Sequence, residues 1–311
     1  MERHSYLHKN LSKMQMQMKT LWQFSRPHTI IGSICSITAL YCIALEGSSF
    51  IQYILLYIQT LLAALACNIF IVGLNQIVDV KIDAINKPYL PIPAKRLTER
   101  QAYVIIFIAL GLSLLVSFIT SIFLFFLIIS IQSIGIAYSV PPLQLKKHHL
   151  PAAIAISVVR GILVNIGMYY HFNSSVHNQQ MIPQHIWLLT IFITAFSIAI
   201  AWFKDLPDTD GDREFNIKTL AIRYTKKSAL ICGNVFVIFA YCMLLAWGYK
   251  YLHPYSPFYI VAHWLLLLLF IINAFTIKIE SQISIKRFYM RFWIFFFAEY
   301  ITYIVWTYIK L

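Results

Sequence analysis

Residues 51–83 read IQYILLYIQTLLAALACNIFIVGLNQIVDVKID, and this stretch decides the fold. Its first part, 51–74, is apolar and long enough to cross a bilayer, for which a helix needs about 20 residues. The apolar run then gives way to Asn75, Asp79 and Asp83. If the helix continues through these positions, residues four apart share one face, and an amide and two carboxylates project together at the end of a membrane span.

Working outward, nine apolar segments can be drawn, at 28–45, 51–74, 101–118, 121–139, 151–171, 185–203, 228–248, 257–277 and 289–309. Residues 101–140 are almost unbroken apolar sequence, so the hairpin between the third and fourth segments rests on a weak turn signal. Of the 311 residues, 59% are hydrophobic and 12% charged, against about 25% charged in soluble domains. This balance excludes a soluble enzyme, a disordered chain and a disulfide scaffold. The expected fold is an all-α membrane protein of about nine transmembrane helices around a central cavity. Residues 1–25 form a basic N-terminal tail, with 1–20 read as a short cytosolic tail or the remnant of a targeting segment. Residues 26–311 form a single polytopic domain. The five cysteines all fall within apolar runs and lack C-x-x-C spacing, so they read as small buried hydrophobes.

Charge placement supports the helix count. The chain has 25 Lys and Arg against 12 Asp and Glu. With nine spans, 22 of the 25 basic residues fall on the side that holds the N-terminus, only Lys250 and Lys310 fall opposite, and Arg160 lies within a span. The positive-inside rule assigns the basic side to the cytoplasm or a plastid stroma.

All six aspartates belong to two short segments on that side. The second segment reads Lys204-Asp205-Leu-Pro-Asp208-Thr-Asp-Gly-Asp212. Asn75, Asp79 and Asp83 each precede Lys204, Asp208 and Asp212 by 129 residues, and both clusters follow an even-numbered span. This echo suggests two four-helix units plus a ninth helix, with the clusters facing each other across the cavity. Like charges four apart destabilise a bare helix but suit a hard divalent cation. Mg²⁺ takes oxygen ligands and is typically held by one or two carboxylates plus substrate phosphates. Neither cluster contains Cys or grouped His, which argues against zinc. The chain also lacks a G-x-x-x-x-G-K-[ST] loop for nucleotide hydrolysis. The residues therefore point to a Mg²⁺–diphosphate site at the membrane surface beside an apolar cavity, suited to a lipid diphosphate. An ion-coupled transporter would place its carboxylates nearer the bilayer midplane.

The first cluster, continued by Ile85-Asn86-Lys87-Pro88-Tyr89-Leu90-Pro91, resembles the first signature of UbiA-type intramembrane prenyltransferases, and Lys204 to Asp212 resembles the second. Phe24-Ser-Arg26-Pro27-His28-Thr29, Ala137-Tyr138-Ser-Val-Pro141-Pro142, Val159-Arg160-Gly161 and Phe297-Ala-Glu299-Tyr300 are similar to the homogentisate prenyltransferase branch. The resemblance implies a nine-helix UbiA-type bundle that transfers a phytyl or geranylgeranyl group from its diphosphate to an aromatic acceptor. In that branch the acceptor is homogentisate, with decarboxylation, in tocopherol or prenylquinone biosynthesis. Chlorophyllide, phenolic or flavonoid, naphthoate and 4-hydroxybenzoate acceptors stay open. It also implies that Asp79, Asp83, Asp208 and Asp212, with Asp205, hold Mg²⁺. The implied setting is a bacterial inner, cyanobacterial thylakoid or plastid membrane. The pattern departs in one place. Several family members carry a lysine four residues after the tyrosine corresponding to Tyr138, whereas here the first lysine is Lys146.

Asn75, Tyr138, Lys146 and Lys204 are the candidates for diphosphate contact. Arg26 is either another such contact or a membrane-surface anchor. Arg160 binds diphosphate or an acceptor carboxylate, or it snorkels to the nearby surface. His28 positions the acceptor or is simply a polar helix start. Glu299 reads as a structural partner for a neighbouring polar group.

Overall fold

Within a bilayer every backbone N–H and C=O must be satisfied inside its own segment, which turns apolar runs into helices. The computed structural model describes residues 15–252 and 256–310. Residues 15–24 form α1. There follow α2 (Pro27–Leu45), α3 (Ile54–Val78), α4 (Val80–Asn86), α5 (Glu99–Thr120) and α6 (Ile122–Ser139). The next span joins α7 (His149–Ser157), a π-helix (Val158–Met168) and α8 (Tyr169–His177). After it come α9 (Gln184–Phe203), α10 (Thr209–Glu214), α11 (Leu220–Arg223), α12 (Lys226–Tyr251), α13 (Pro257–Phe275) and α14 (Gln282–Lys310). Among the described residues, nine helices are long and apolar enough to cross a membrane.

Local chemistry sets the helix ends. Arg26 takes a left-handed conformation (φ 52°), and Pro27, whose ring pre-sets the helical φ, opens α2. Thr98 and Gln101 form a reciprocal capping box at the start of α5. The weak turn near residue 120 is a single extended residue, Ser121, whose hydroxyl accepts from the Leu124 N–H at 3.1 Å and caps α6. Asp79 bends the chain between α3 and α4, yet its N–H still reaches the Asn75 carbonyl at 3.0 Å and the Asp83 N–H reaches Asp79 at 2.7 Å. The cluster therefore keeps its helical spacing across the bend.

Helix association in lipid gains little from the hydrophobic effect. Packing and interhelical hydrogen bonds drive it, each bond contributing about 0.6 to 2 kcal/mol. Here Gln132 donates to Ser113 at 2.6 Å across the α5–α6 hairpin. Tyr300 donates to Asn165 at 2.8 Å, and Glu299 pairs with His263 at 3.0 Å, both side chains fully buried. Phe196 and Phe292 stack with centroids 4.1 Å apart between α9 and α14. Phe107, Leu115, Ile119, Val261 and Leu268 are exposed on the outer surface, as lipid-facing side chains must be.

Three sequence expectations need correction, and one is that the cysteines are all buried: Cys232 and Cys242 are exposed on α12 and Cys35 is half-buried, because an apolar run in a membrane span also supplies its outward-facing positions. The ninth span begins at Gln282 rather than 289, so Lys286, Arg287 and Arg291 lie on the first turns of α14. Long basic side chains can extend to the interface from inside a helix, and charge alone therefore misplaces its start. The proposed tail is helical from residue 15: Phe24 is buried, and its carbonyl accepts from Gln76 at 2.6 Å. The tail's residues 1–14 lie outside the described residues. At the basic end, the loops pack on one another. The Lys218 N–H reaches the Lys147 carbonyl at 2.8 Å, and the Lys286 ammonium sits 5.5 Å above the Tyr89 ring.

Candidate active site

A cavity of about 610 Å³ opens among these loops and descends between α2, α3, α6, the π-helix and α14. All twelve site residues expected from the sequence line it: Arg26, His28, Asn75, Asp79, Asp83, Tyr138, Lys146, Arg160, Lys204, Asp205, Asp208 and Asp212. Asp210, the one aspartate left out of that set, is exposed.

The two clusters meet at the cavity mouth. In the first, Asn75 Nδ2 donates to Asp79 Oδ2 at 3.0 Å and Lys146 Nζ to Asp79 Oδ1 at 2.5 Å. Asp83 lies 3.9 Å from Arg26 and 3.7 Å from Lys87. In the second, Lys204 donates to Asp205 at 2.6 Å, and Lys87 forms an ion pair with Asp208. Lys87 thus joins the clusters. So does Asn86, which donates to Asp212 Oδ1 at 3.3 Å and accepts the Gly211 N–H at 2.8 Å. A Cβ at residue 211 would stand 2.7 Å from the Asn86 amide oxygen, so this approach requires glycine.

Burial pushes the Asp83 carboxyl above its usual range, against the pull of Lys87 and Arg26. Burial also raises Asp205, although Lys204 opposes it. Asp212 rises to about 8, mainly through burial and then through the nearby Asp205 and Asp208 carboxylates. For Lys146, burial outweighs Asp79 and lowers the ammonium's pKa. For Lys87, Asp208 and Asp83 together overcome burial and raise it.

Asp83 Oδ2 and Asp208 Oδ1 are buried and, among the described residues, accept no hydrogen bond. Unsatisfied carboxylate oxygens, with oxygen as the sole anionic donor type, fit a hard cation such as Mg²⁺. Among the described residues no three His, Cys, Asp or Glu side chains make a ready cage. The carboxylates instead divide between two walls, an arrangement that suits a cation shared with substrate phosphates.

Below the mouth, Lys204 Nζ lies 5.9 Å over the Tyr138 ring. His28, in the first turn of α2, sets its ring edge-on to Trp293 at 5.1 Å and Tyr289 at 6.3 Å. The Arg160 guanidinium rests 4.8 Å over Trp293, and the residue lines the cavity. Deeper still the walls are apolar, with Ile37, Ala64, Ile128, Ile131, Val164 and Met168. Glu299 is not a lining residue; its His263 pairing matches the structural role expected of it.

Sequence reasoning missed Lys87 and Asn86 as site residues, although Lys87 stands four residues after Asp83 and continues the same helical face. It also missed Thr29, Ser33 and Asn68, a polar strip partway down the cavity. Asn68, two turns before Asn75 on α3, was the readable signal.

The sequence pattern of the UbiA prenyltransferase family matches residues 34–296. A homogentisate phytyltransferase from Synechocystis sp. is 37% identical over 291 residues, covering 92% of this chain and 94% of its own length. A homogentisate geranylgeranyltransferase from Triticum aestivum is 33% identical, covering 93% of this chain and 72% of its own. A solved UbiA homolog from Archaeoglobus fulgidus, bound to GPP and Mg²⁺, superposes with a TM-score of 0.59 at 15% identity, covering 92% and 99% of the two chains; this likeness concerns the fold alone. Family pattern, relatives and the bundle of apolar helices agree, and the chain belongs to the UbiA prenyltransferase family, a family of intramembrane enzymes.

Proposed function

We propose that the protein transfers a phytyl or geranylgeranyl group from its diphosphate to homogentisate, with loss of the acceptor's carboxylate as CO₂. The observation that carries this reading is the convergence of two carboxylate clusters and their lysines at the mouth of an apolar cavity of about 610 Å³. The homogentisate prenyltransferases among the relatives support the choice of acceptor. Asp79, Asp83, Asp205, Asp208 and Asp212 hold Mg²⁺, which when bound stabilises the negative charge of the departing diphosphate. Asn75, Arg26, Tyr138, Lys146 and Lys204 bind and orient the diphosphate, with Lys87 between the clusters. His28 and Arg160 belong to the acceptor side of the cavity.

The bond between the allylic carbon and the diphosphate oxygen breaks, with both electrons leaving on oxygen. The electron-rich ring supplies the pair for the new carbon–carbon bond and then loses its ring proton. The side-chain carbon that releases CO₂ takes up a proton, leaving a methyl group. The apolar walls exclude water that would otherwise capture the allylic carbon. The mouth faces the cytoplasm or stroma, a placement supported by the 22 basic residues on that side.

Purified protein in detergent, given Mg²⁺, homogentisate and either phytyl or geranylgeranyl diphosphate, should yield a prenylated methylquinol, identified by product mass. A folded sample that forms no product with either donor would sink the proposal.

A further inference from the structure

Arg160 differs from the aspartate-paired cations of the cavity, and also from Lys286, a lining residue whose ammonium lies over the Tyr89 ring among the loops at the basic end. Lys87, Lys146 and Lys204 each pair with an aspartate. Arg160 lies within the His149–His177 span, and among the described residues no carboxylate comes within ion-pair distance of it. An uncompensated charge inside a membrane segment marks a functional position. The surroundings hold it in place. Asn165 Nδ2 donates to the Arg160 carbonyl at 2.9 Å and the Gly161 carbonyl at 2.8 Å, while Tyr300 donates to Asn165 Oδ1 at 2.8 Å. This chain fixes the π-helical turn to α14. The guanidinium rests on the Trp293 face, a stacking that leaves its in-plane N–H fork available to a carboxylate.

Across from it, Gly32 keeps the space open. A Cβ there would lie 3.2 Å from Trp293 and 3.7 Å from Arg160 Nη1. Gly32 is about 8 Å along α2 from Pro27, at 1.5 Å per residue. On the facing side Asn68 Nδ2 donates to Ser33 Oγ at 2.8 Å and to the Thr29 carbonyl at 3.2 Å. An isoprenoid tail has no polar group to offer at this depth. A cation on one wall and a polar strip on the other suit a ring that carries both an anionic arm and hydroxyls.

We infer that Arg160, packed on Trp293 and given room by Gly32, is the specificity-determining anchor for the acceptor's carboxylate, and that the cavity selects hydroxylated aryl acids over neutral arenes. This rests on the prenyl-transfer reading above.

The test compares homogentisate with 2-methylhydroquinone, the same ring without the carboxylate, at saturating geranylgeranyl diphosphate and Mg²⁺. In Arg160→Met the ratio of kcat/KM for homogentisate to that for 2-methylhydroquinone should fall roughly 30-fold or more, the scale of losing one partner of a buried charge pair. The loss should appear mainly in KM, and Arg160→Lys should recover part of it. An unchanged ratio, however far both activities drop, would overturn the inference, because a folding or diphosphate role affects both acceptors alike. Wild-type protein that prenylates the hydroquinone but no aryl acid would also overturn it while leaving prenyl transfer standing. Wild-type protein that prenylates neither would remove the underlying reading as well.

Discussion

Asp79 and Asp83 on one side of the mouth, and Asp208 and Asp212 on the other, share a spacing and even a backbone. Asp79 has φ −96° and ψ 12°, Asp208 φ −98° and ψ 7°, and each stands at the start of a short helix. Their electrostatics differ. The first pair draws its countercharge from two distant elements, Lys146 after α6 and Arg26 before α2, and from Lys87 four residues after Asp83. In the second cluster Lys204 serves Asp205 and Lys87 serves Asp208, while among the described residues Asp212 is hydrogen-bonded by the neutral side-chain amide of Asn86 and no cationic side chain. Two equal patterns thus become one compensated cluster and one with a carboxylate that burial holds protonated up to about pH 8. Spacing places the ligands, and the partners that other helices supply decide their charge state.

The largest expected effects test whether both halves are needed. Asp79→Asn and Asp208→Asn should each lower kcat by roughly 10²- to 10³-fold, the scale of losing a group that stabilises developing charge, while detergent melting temperature changes little. Full activity in either variant would confine the chemistry to one cluster. Lys87→Met removes the cation shared by Asp83 and Asp208. The expected loss is about 30-fold in kcat/KM for the prenyl diphosphate, read from steady-state kinetics. A loss no larger than that of a surface lysine variant would show that Lys87 does not bridge the halves.

Smaller changes sharpen the contrast. Asn86→Ala should weaken Mg²⁺ activation by about tenfold, as loss of a group supporting a metal ligand does, measured as the Mg²⁺ concentration for half-maximal turnover. The smallest effect concerns stability. A carboxyl with a folded pKa near 8 and an unfolded value near 4 binds more protons in the folded state between those values. Metal-free protein should therefore lose stability as pH rises from about 4 to 8, and Asp212→Asn should flatten that decline in melting curves recorded with EDTA.

Much of the molecule was legible because it depends on local pattern. The spans follow from uninterrupted apolar runs, and the basic side and both clusters follow from where charges fall along the chain. What escaped depends on helices remote in sequence. Lys87 and Asn86 gain their significance only when α4 meets α10, 121 and 125 residues further on. The Thr29–Ser33–Asn68 strip looks like ordinary interhelical polarity until α2 and α3 are placed against the cavity. The early start of α14 was hidden by three basic residues that a helix at the interface accommodates.

The π-helix from Val158 to Met168 also fixes how the two halves of its span are phased. Its backbone closes wider turns than an α-helix, so the residue count in this stretch sets the angle between Arg160 above and His171 below, where His171 meets Thr60 at 3.0 Å and Ser121 at 3.2 Å. Deleting one residue here rotates everything below by about 100° if the rest winds as α-helix. That rotation would uncouple the acceptor wall from the far-side anchors without altering a single side chain in either.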